Sequence, residues 1–357
     1  MNGEGRFEPR IHPPYLPEER DEIAAFRRAA GLGPDGELEG KGAEPYTVCL
    51  LESGRLAAVG SLAGRTIRGL AVAAGERGEG LASRVVSELE AEAARRGVEP
   101  LLVFTSPGRR EAFESLGYRA LAEAPGAALL LEKGGGLETW LRTTAAALPP
   151  ARSRTALVMN CNPFTLGHRR LVEAASASSE AVVVLVVGED ASAFPFEVRL
   201  RLVREGTAEF GNVAVVPGGP YIVSKATFPT YFLKEPGEAA RIHARLDVEL
   251  FGRRIAPALG IGRRMVGEEP LDPLTAIYNE TMLGVLPPLG VGVEVIPRLA
   301  LRGGAVSASA VRRLVAEGRL AEACALLPES TKAWLASDEA ASTIERVRRE
   351  AGSARPK

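Results

Sequence analysis

The sequence predicts two α/β domains in series, an α+β domain followed by a doubly wound parallel sheet. Three observations lead there. A chain of 357 residues has the length of about two domains at roughly 150 residues each. Its first part alternates short strands with turns and helices, beginning at YTVCLLE and GRLAAVGSLAG. From Thr155 the pattern changes to continuous apolar runs, TALVM, AVVVLVV and VAVVP, with amphipathic helices between them. Runs without polar alternation mark strands covered on both faces, as in a parallel sheet wound with helices.

Apolar residues make up 46% of the chain, enough for each domain to bury a core. Lys plus Arg number 44 against 45 Asp plus Glu, so no global field directs the protein to nucleic acid or an anionic membrane. The opening MNGEGRFEPR lacks the apolar core of a secretory signal, and no run has the length of a membrane span. Cys49, Cys161 and Cys324 lie far apart and form no CxxC pair. A reduced cytoplasm is therefore expected, without disulfides or a zinc site.

In order along the chain, PEERDEIAAFRRAAGL is expected to be helical. Strands YTVCLLE and GRLAAVGSLAG follow, joined by a hairpin turn at Glu52–Arg55, and then TIRGLAVAA. LASRVVSELEAEAARRG places Val85, Leu89 and Ala93 at helical spacing. A strand PLLVFT, a helix GRREAFESLG and a strand AALLLEK complete the first domain, residues 1–136. A bridging helix LETWLRTTAAAL and the linker PPARSR occupy 137–154. The second domain, 155–357, adds strands at RRMVG and GVEVIP.

The stretch NCNPFTLGH, residues 160–168, directly follows the strand TALVM. In a doubly wound sheet it crosses the carboxyl edge, where ligands bind. Unpaired N–H groups at a helix start receive phosphate. Gly167 permits close backbone approach, while His168 and Thr165 add a ring nitrogen and a hydroxyl. The plain alternative is a solvated histidine at a helix start. Cys161 is expected to be a small packed residue rather than a nucleophile.

NPFTLGH resembles the nucleotidylyltransferase signature, a phosphate-binding loop ending in Gly-His, and VSASAVRRLV (306–315) resembles its Ser-rich partner motif. The longer strings MNCNPFTLGHRRLVEAA, FPFEVRLRLVREGT, YIVSKATFPTYFLK and VGEEPLDPLTAIYNETM resemble the citrate lyase ligase family over nearly the whole chain. VAAGERGEGLASRVV resembles the acetyl-CoA-binding segment of GNAT acetyltransferases, R-x-x-G-x-G/A, on Arg77, Gly78, Gly80 and Ala82. REAFESLGYRAL, with Phe113, Gly117 and Tyr118, has a GNAT form as well. The fold implied is GNAT-like followed by a Rossmann-like nucleotidylyltransferase domain.

The resemblance implies ATP, with Mg²⁺, and acetate as substrates, and the prosthetic thiol of the citrate lyase acyl-carrier subunit as acetyl acceptor. It implies catalytic roles for His168, Thr165 and Arg312. ATP would be held by Asn162, Phe164, Gly167, Ser307 and Ser309, together with Glu268 or its neighbour Glu269, and by Arg199. Plainer alternatives are an N-cap for Ser307, a solvated helix residue for Arg312, a salt bridge for Glu268 and a surface position for Arg199. Lys225, Thr227 and Tyr231 would line the substrate pocket, although Lys225 departs from the family pattern, which has a small residue there. His12 and His243 are candidate bases for the thiol by scarcity alone. Two competing readings are a cofactor-synthesising nucleotidylyltransferase fused to an independent N-acetyltransferase, and a non-catalytic acyl-CoA sensor.

Overall fold

The computed structural model describes residues 6–10, 15–33, 45–188, 192–222, 239–268, 273–301 and 304–353. Contacts group the chain into two units, Met1–Thr139 with Phe228–Glu249, and Trp140–Thr227 with Leu250–Lys357. The first division falls inside the helix expected to bridge the domains. Among the described residues no helix is long and apolar enough to cross a membrane.

The N-terminal unit runs β1 (Glu8–Arg10), α1 (Pro17–Ala29), β2 (Tyr46–Glu52), β3 (Arg55–Ala63), β4 (Thr66–Val72), α2 (Leu81–Arg95), β5 (Leu101–Thr105), α3 (Arg110–Glu114), β6 (Arg119–Ala124) and β7 (Ala128–Lys133). Its seven strands form one mixed sheet in the order β1-β2-β3-β4-β5-β7-β6. Ser53 and Gly54 both have positive φ, 48° and 78°, the backbone a tight hairpin between β2 and β3 requires. Two strands escaped the sequence reading. β1 has only three residues, and β6, RALAEA, carries two charges and three alanines. Each is defined by its partner strand rather than by its own pattern.

β4 and β5 are parallel neighbours, paired only at Thr66–Leu102 and Ile67–Val103. Beyond this point the two strands no longer pair with each other. A cavity of about 560 Å³ opens beside them, lined by apolar side chains of both strands and by Phe113. α2 covers the sheet with the fully buried Val85, Val86 and Leu89. The helix α4 (Gly136–Ala146) begins where the buried Glu132 carboxylate accepts the Leu137 N–H at 3.2 Å.

The C-terminal unit contains β8 (Arg154–Met159), α5 (Leu166–Ser178), β9 (Ala181–Val186), α6 (Phe196–Gly206) and β10 (Val213–Pro217). The next helix, α7 (Ala239–Leu250), belongs to the N-terminal unit up to Glu249, and the C-terminal unit resumes with α8 (Ala256–Leu259), β11 (Ile261–Gly267), α9 (Pro273–Val285) and β12 (Gly292–Ile296). After these come the hairpin strands β13 (Ala300–Leu301) and β14 (Gly304–Ala305), then α10 (Ala308–Ala316), α11 (Leu320–Cys324), α12 (Glu329–Leu335) and α13 (Ala341–Ser353). The five-stranded sheet has the order β10-β9-β8-β11-β12, every pair parallel. β8 is thus central, with the chain wound outward to both sides of it. The crevice at its carboxyl end is where a doubly wound sheet binds ligands.

β9 is buried along its whole length, as an all-apolar run predicts, whereas β10 and β12 are half-buried. They are the sheet's edges, and their apolar runs meet solvent on one side. The tail beyond Trp334 belongs to this core. Trp334, Ala340 and Val347 pack into the same cluster as Phe164 and Val184.

Candidate active site

The loop between β8 and α5 is held by a buried arginine. Arg199, wholly inaccessible on α6, donates to the Asn160 carbonyl at 2.6 Å, the Val187 carbonyl at 2.7 Å and the Phe194 carbonyl at 3.0 Å. These acceptors follow β8, follow β9 and precede α6. One guanidinium fork therefore ties the carboxyl ends of the two strands to the next helix. Buried carbonyls left without donors would cost about 1–3 kcal/mol each, which explains an arginine in the core. Cys161 turns the loop with φ of 52° and is itself buried. Burial pushes its thiol well above the usual cysteine range, so it serves as a packed residue. The Asn162 side-chain oxygen accepts the Phe194 N–H at 3.0 Å.

α5 begins at Leu166, with Thr165 as its cap. The capping is reciprocal. Thr165 Oγ1 accepts the His168 N–H at 3.4 Å, and His168 Nδ1 accepts the Thr165 N–H at 3.1 Å. An imidazole here does what Glu or Gln does in a capping box. With Nδ1 accepting, the neutral ring carries its proton on Nε2. Phe164 lies parallel to the ring, centroids 6.1 Å apart and planes at 15°. Burial, with the charge of Arg298 second, pushes the His168 pKa down to about 4. At neutral pH His168 is a neutral N–H donor at a helix start.

The second motif meets the first at two points. A Cβ on Gly167 would lie 3.1 Å from the Val306 carbonyl oxygen, so the glycine permits α5 to press against the backbone just before Ser307. Arg312, on α10, donates to the carbonyl oxygen of Asn162. Ser307 caps α10, its Oγ accepting the Ala310 N–H at 3.1 Å. Two helix starts, those of α5 and α10, thus flank one loop, each carrying the positive end of a helix dipole. The C-terminal helices brace this arrangement. Thr331 Oγ1 donates to the Phe164 carbonyl at 2.9 Å, and the Leu166 N–H donates to the Leu326 carbonyl at 3.0 Å.

The family model described as the citrate lyase ligase C-terminal domain matches residues 154–335. The chain is 40% identical over 288 residues to a citrate (pro-3S)-lyase ligase of Klebsiella pneumoniae, covering 79% of this chain and 84% of that protein. The chain belongs to the citrate lyase ligase family. A ligase of the same name from Escherichia coli is 35% identical, covering 88% of this chain and 89% of that protein. An acyl-CoA N-acyltransferase structure from Pseudomonas aeruginosa aligns with 36% of this chain and 98% of its own at 15% identity and TM-score 0.32, a likeness too slight to bear on activity.

Of the ligase-family residues expected at the nucleotide, Thr165, Gly167, His168, Asn162, Ser307 and Arg312 meet around the β8–α5 loop. Two expected there have other positions. Phe164 is fully buried, which leaves its ring to support His168 rather than face a nucleotide. Arg199 is neither exposed nor aimed at a ligand by the bonds above; it fastens the loop from within the core. Glu268 is exposed immediately past β11, its N–H donating to the Ile296 carbonyl at 2.8 Å, and Ser309 is exposed in the first turn of α10. Lys225, Thr227, Tyr231, Glu269 and His12 lie outside the described residues. His243 is buried on α7.

In the N-terminal unit the 560 Å³ cavity is also lined by Arg77, Gly78, Gly80 and Ala82. Gly80 caps α2 at φ 72° and Gly78 has φ 96°, a left-handed pair of turns that only glycine adopts without strain. The turn presents the start of α2 beside a slot between two parted strands. Phe113 lines the slot, and its ring meets that of the buried Tyr118 edge-on, centroids 5.7 Å apart.

Proposed function

We propose that the C-terminal unit activates acetate with ATP and that the N-terminal unit holds the thiol that receives the acetyl group. The enzyme is a ligase that uses ATP to form a thioester, and the citrate lyase acyl-carrier protein is its protein substrate. A carboxylate oxygen of acetate attacks the α-phosphorus, the bond from that phosphorus to the bridging oxygen breaks, and pyrophosphate leaves. The thiolate of the carrier's prosthetic arm then attacks the acetyl carbon of the adenylate, and AMP leaves.

The observation that carries this reading is the junction of the two motifs, Arg312 on Asn162 and Gly167 on Val306. Phosphoryl displacement asks for positioning and charge neutralisation more than covalent help. His168 Nε2–H and the α5 start would hold α-phosphate oxygens. Arg312, with N–H groups beyond the one on Asn162, would meet the leaving phosphates, and Ser307 and Ser309 sit at the second helix start. Among the described residues no group of three or more His, Cys, Asp or Glu is placed to hold a metal ion. Mg²⁺ would therefore come with ATP as part of the substrate, keeping most of its water ligands. The cavity beside Gly78 and Gly80 would take the phosphopantetheine-like arm, its pyrophosphate at the α2 start. A cytoplasmic place suits an enzyme consuming ATP.

The test is acetate-dependent exchange of labelled pyrophosphate into ATP, with AMP formation when the thiol carrier is added. His168→Ala should abolish exchange. Formation of a stable adenylylated product, or exchange independent of any carboxylate, would overturn the reading in favour of a cofactor-synthesising enzyme.

A further inference from the structure

Arg298 lies just past β12, in a segment with no motif of its own, and three observations bring it to the active site. The hairpin β13–β14 pairs Ala300 with Ala305 and Leu301 with Gly304. The ladder extends one step, the Val306 N–H donating to the Leu299 carbonyl at 2.9 Å. Carried one further step, the same register would set Arg298 level with Ser307, and residues directly opposite in an antiparallel pair share a face. Second, Val306 is the residue whose carbonyl abuts Gly167, so the base of the hairpin is set against the first turn of α5. Third, the Arg298 charge acts on His168, adding to the effect of burial.

We propose that Arg298 is a phosphate-binding residue of this active site, placed to hold a nucleotide phosphate oxygen beside His168. The proposal rests on the adenylation reading above and extends it. His168 offers a directed N–H but no charge at neutral pH, and Arg312 spends one N–H on Asn162. A second guanidinium near the ring supplies charge where negative charge accumulates as pyrophosphate leaves. Sequence inspection passes over it because its place depends on hairpin register.

The test measures ATP and adenosine binding by calorimetry or competition in the full chain, for the wild type, Arg298→Gln and Arg298→Lys. A charge-assisted hydrogen bond of this kind corresponds to roughly 10- to 100-fold in affinity. Arg298→Gln should lose that much ATP affinity with adenosine affinity unchanged, and Arg298→Lys should recover part of it. The His168 signal, one of three histidines, should titrate at higher pH in Arg298→Gln; loss of a purely structural residue would not move it. Equal weakening of ATP and adenosine would overturn the proposal. So would unchanged ATP affinity, including the case in which only the KM for acetate rises, which would assign Arg298 to the carboxylate. If wild-type protein fails to bind ATP, or His168→Ala binds it normally, the adenylation reading itself fails, a result distinct from these.

Discussion

Arg312 donates to the carbonyl oxygen of Asn162 across 150 residues of sequence, closing the second motif onto the first. The contact does more than add charge. It gives the β8–α5 loop a second tether, so that the loop is held at Asn160 by the buried Arg199 and at Asn162 from α10. Burial lowers the Arg312 pKa from its usual value, yet a guanidinium remains charged in a protein.

Replacing Arg312 separates these two tasks. Arg312→Ala removes both the loop contact and the charge, and pyrophosphate exchange should fall by about 100-fold or more. Arg312→Lys should recover little, because one ammonium cannot hold the Asn162 carbonyl and grip a phosphate in a planar fork. Steady-state exchange rates for the two variants provide the check; near-complete rescue by lysine would reject the double role.

Gly167→Ala tests the junction without altering any polar group. The added methyl would stand 3.1 Å from the Val306 carbonyl oxygen, tighter than carbon and oxygen normally approach. Since the obstacle is backbone, α5 and the start of α10 must separate by a few tenths of an ångström. Overpacking of this kind costs about 1–3 kcal/mol, and misplaced catalytic groups lose activity steeply. Chemical denaturation should show a folded but less stable protein, with exchange reduced by about tenfold. Wild-type exchange would mean that the junction tolerates slack.

His168 makes stability depend on pH in a stated direction. Its pKa falls from 6.5 in a free side chain to about 4 in the folded protein. Between these values the unfolded chain binds the extra proton, so stability falls as pH drops from about 6.5 to about 4. A shift of this size corresponds to roughly 2–4 kcal/mol when complete. Comparing denaturation midpoints of wild type and His168→Asn across this range isolates the contribution, and equal acid slopes would refute it. In the same range the acid limb of exchange should show no inflection near 6.5 from His168.

How much could be read without the structure follows from how local each signal is. NPFTLGH was legible because strand end, cap and helix start are contiguous, and the fold class because an all-apolar β9 leaves few alternatives. Arg199 was not, since sequence carries no sign that α6 turns it inward to the carbonyls of Asn160, Val187 and Phe194. Phe164 was read as a nucleotide contact because it sits inside the motif, whereas its ring is spent beneath His168. Arg298 and the bracing by Thr331 depend on partners many residues away, set by hairpin register and helix packing.

The division of labour between the two units has its own test at Gly80. The residue has φ of 72° and open space where a Cβ would project. Gly80→Ala therefore suffers only left-handed backbone strain, roughly 1–2 kcal/mol, and leaves the start of α2 accessible. Gly80→Glu adds similar strain plus bulk and negative charge where the pyrophosphate of the arm would lie. Thiol acetylation should fall at least tenfold in Gly80→Glu and much less in Gly80→Ala. Acetate-dependent exchange should stay within about twofold of wild type in both, because the residues proposed to adenylate acetate all lie in the other unit. If Gly80→Glu, still folded by circular dichroism, loses exchange along with acetylation, the N-terminal unit takes part in activating acetate and the division is wrong.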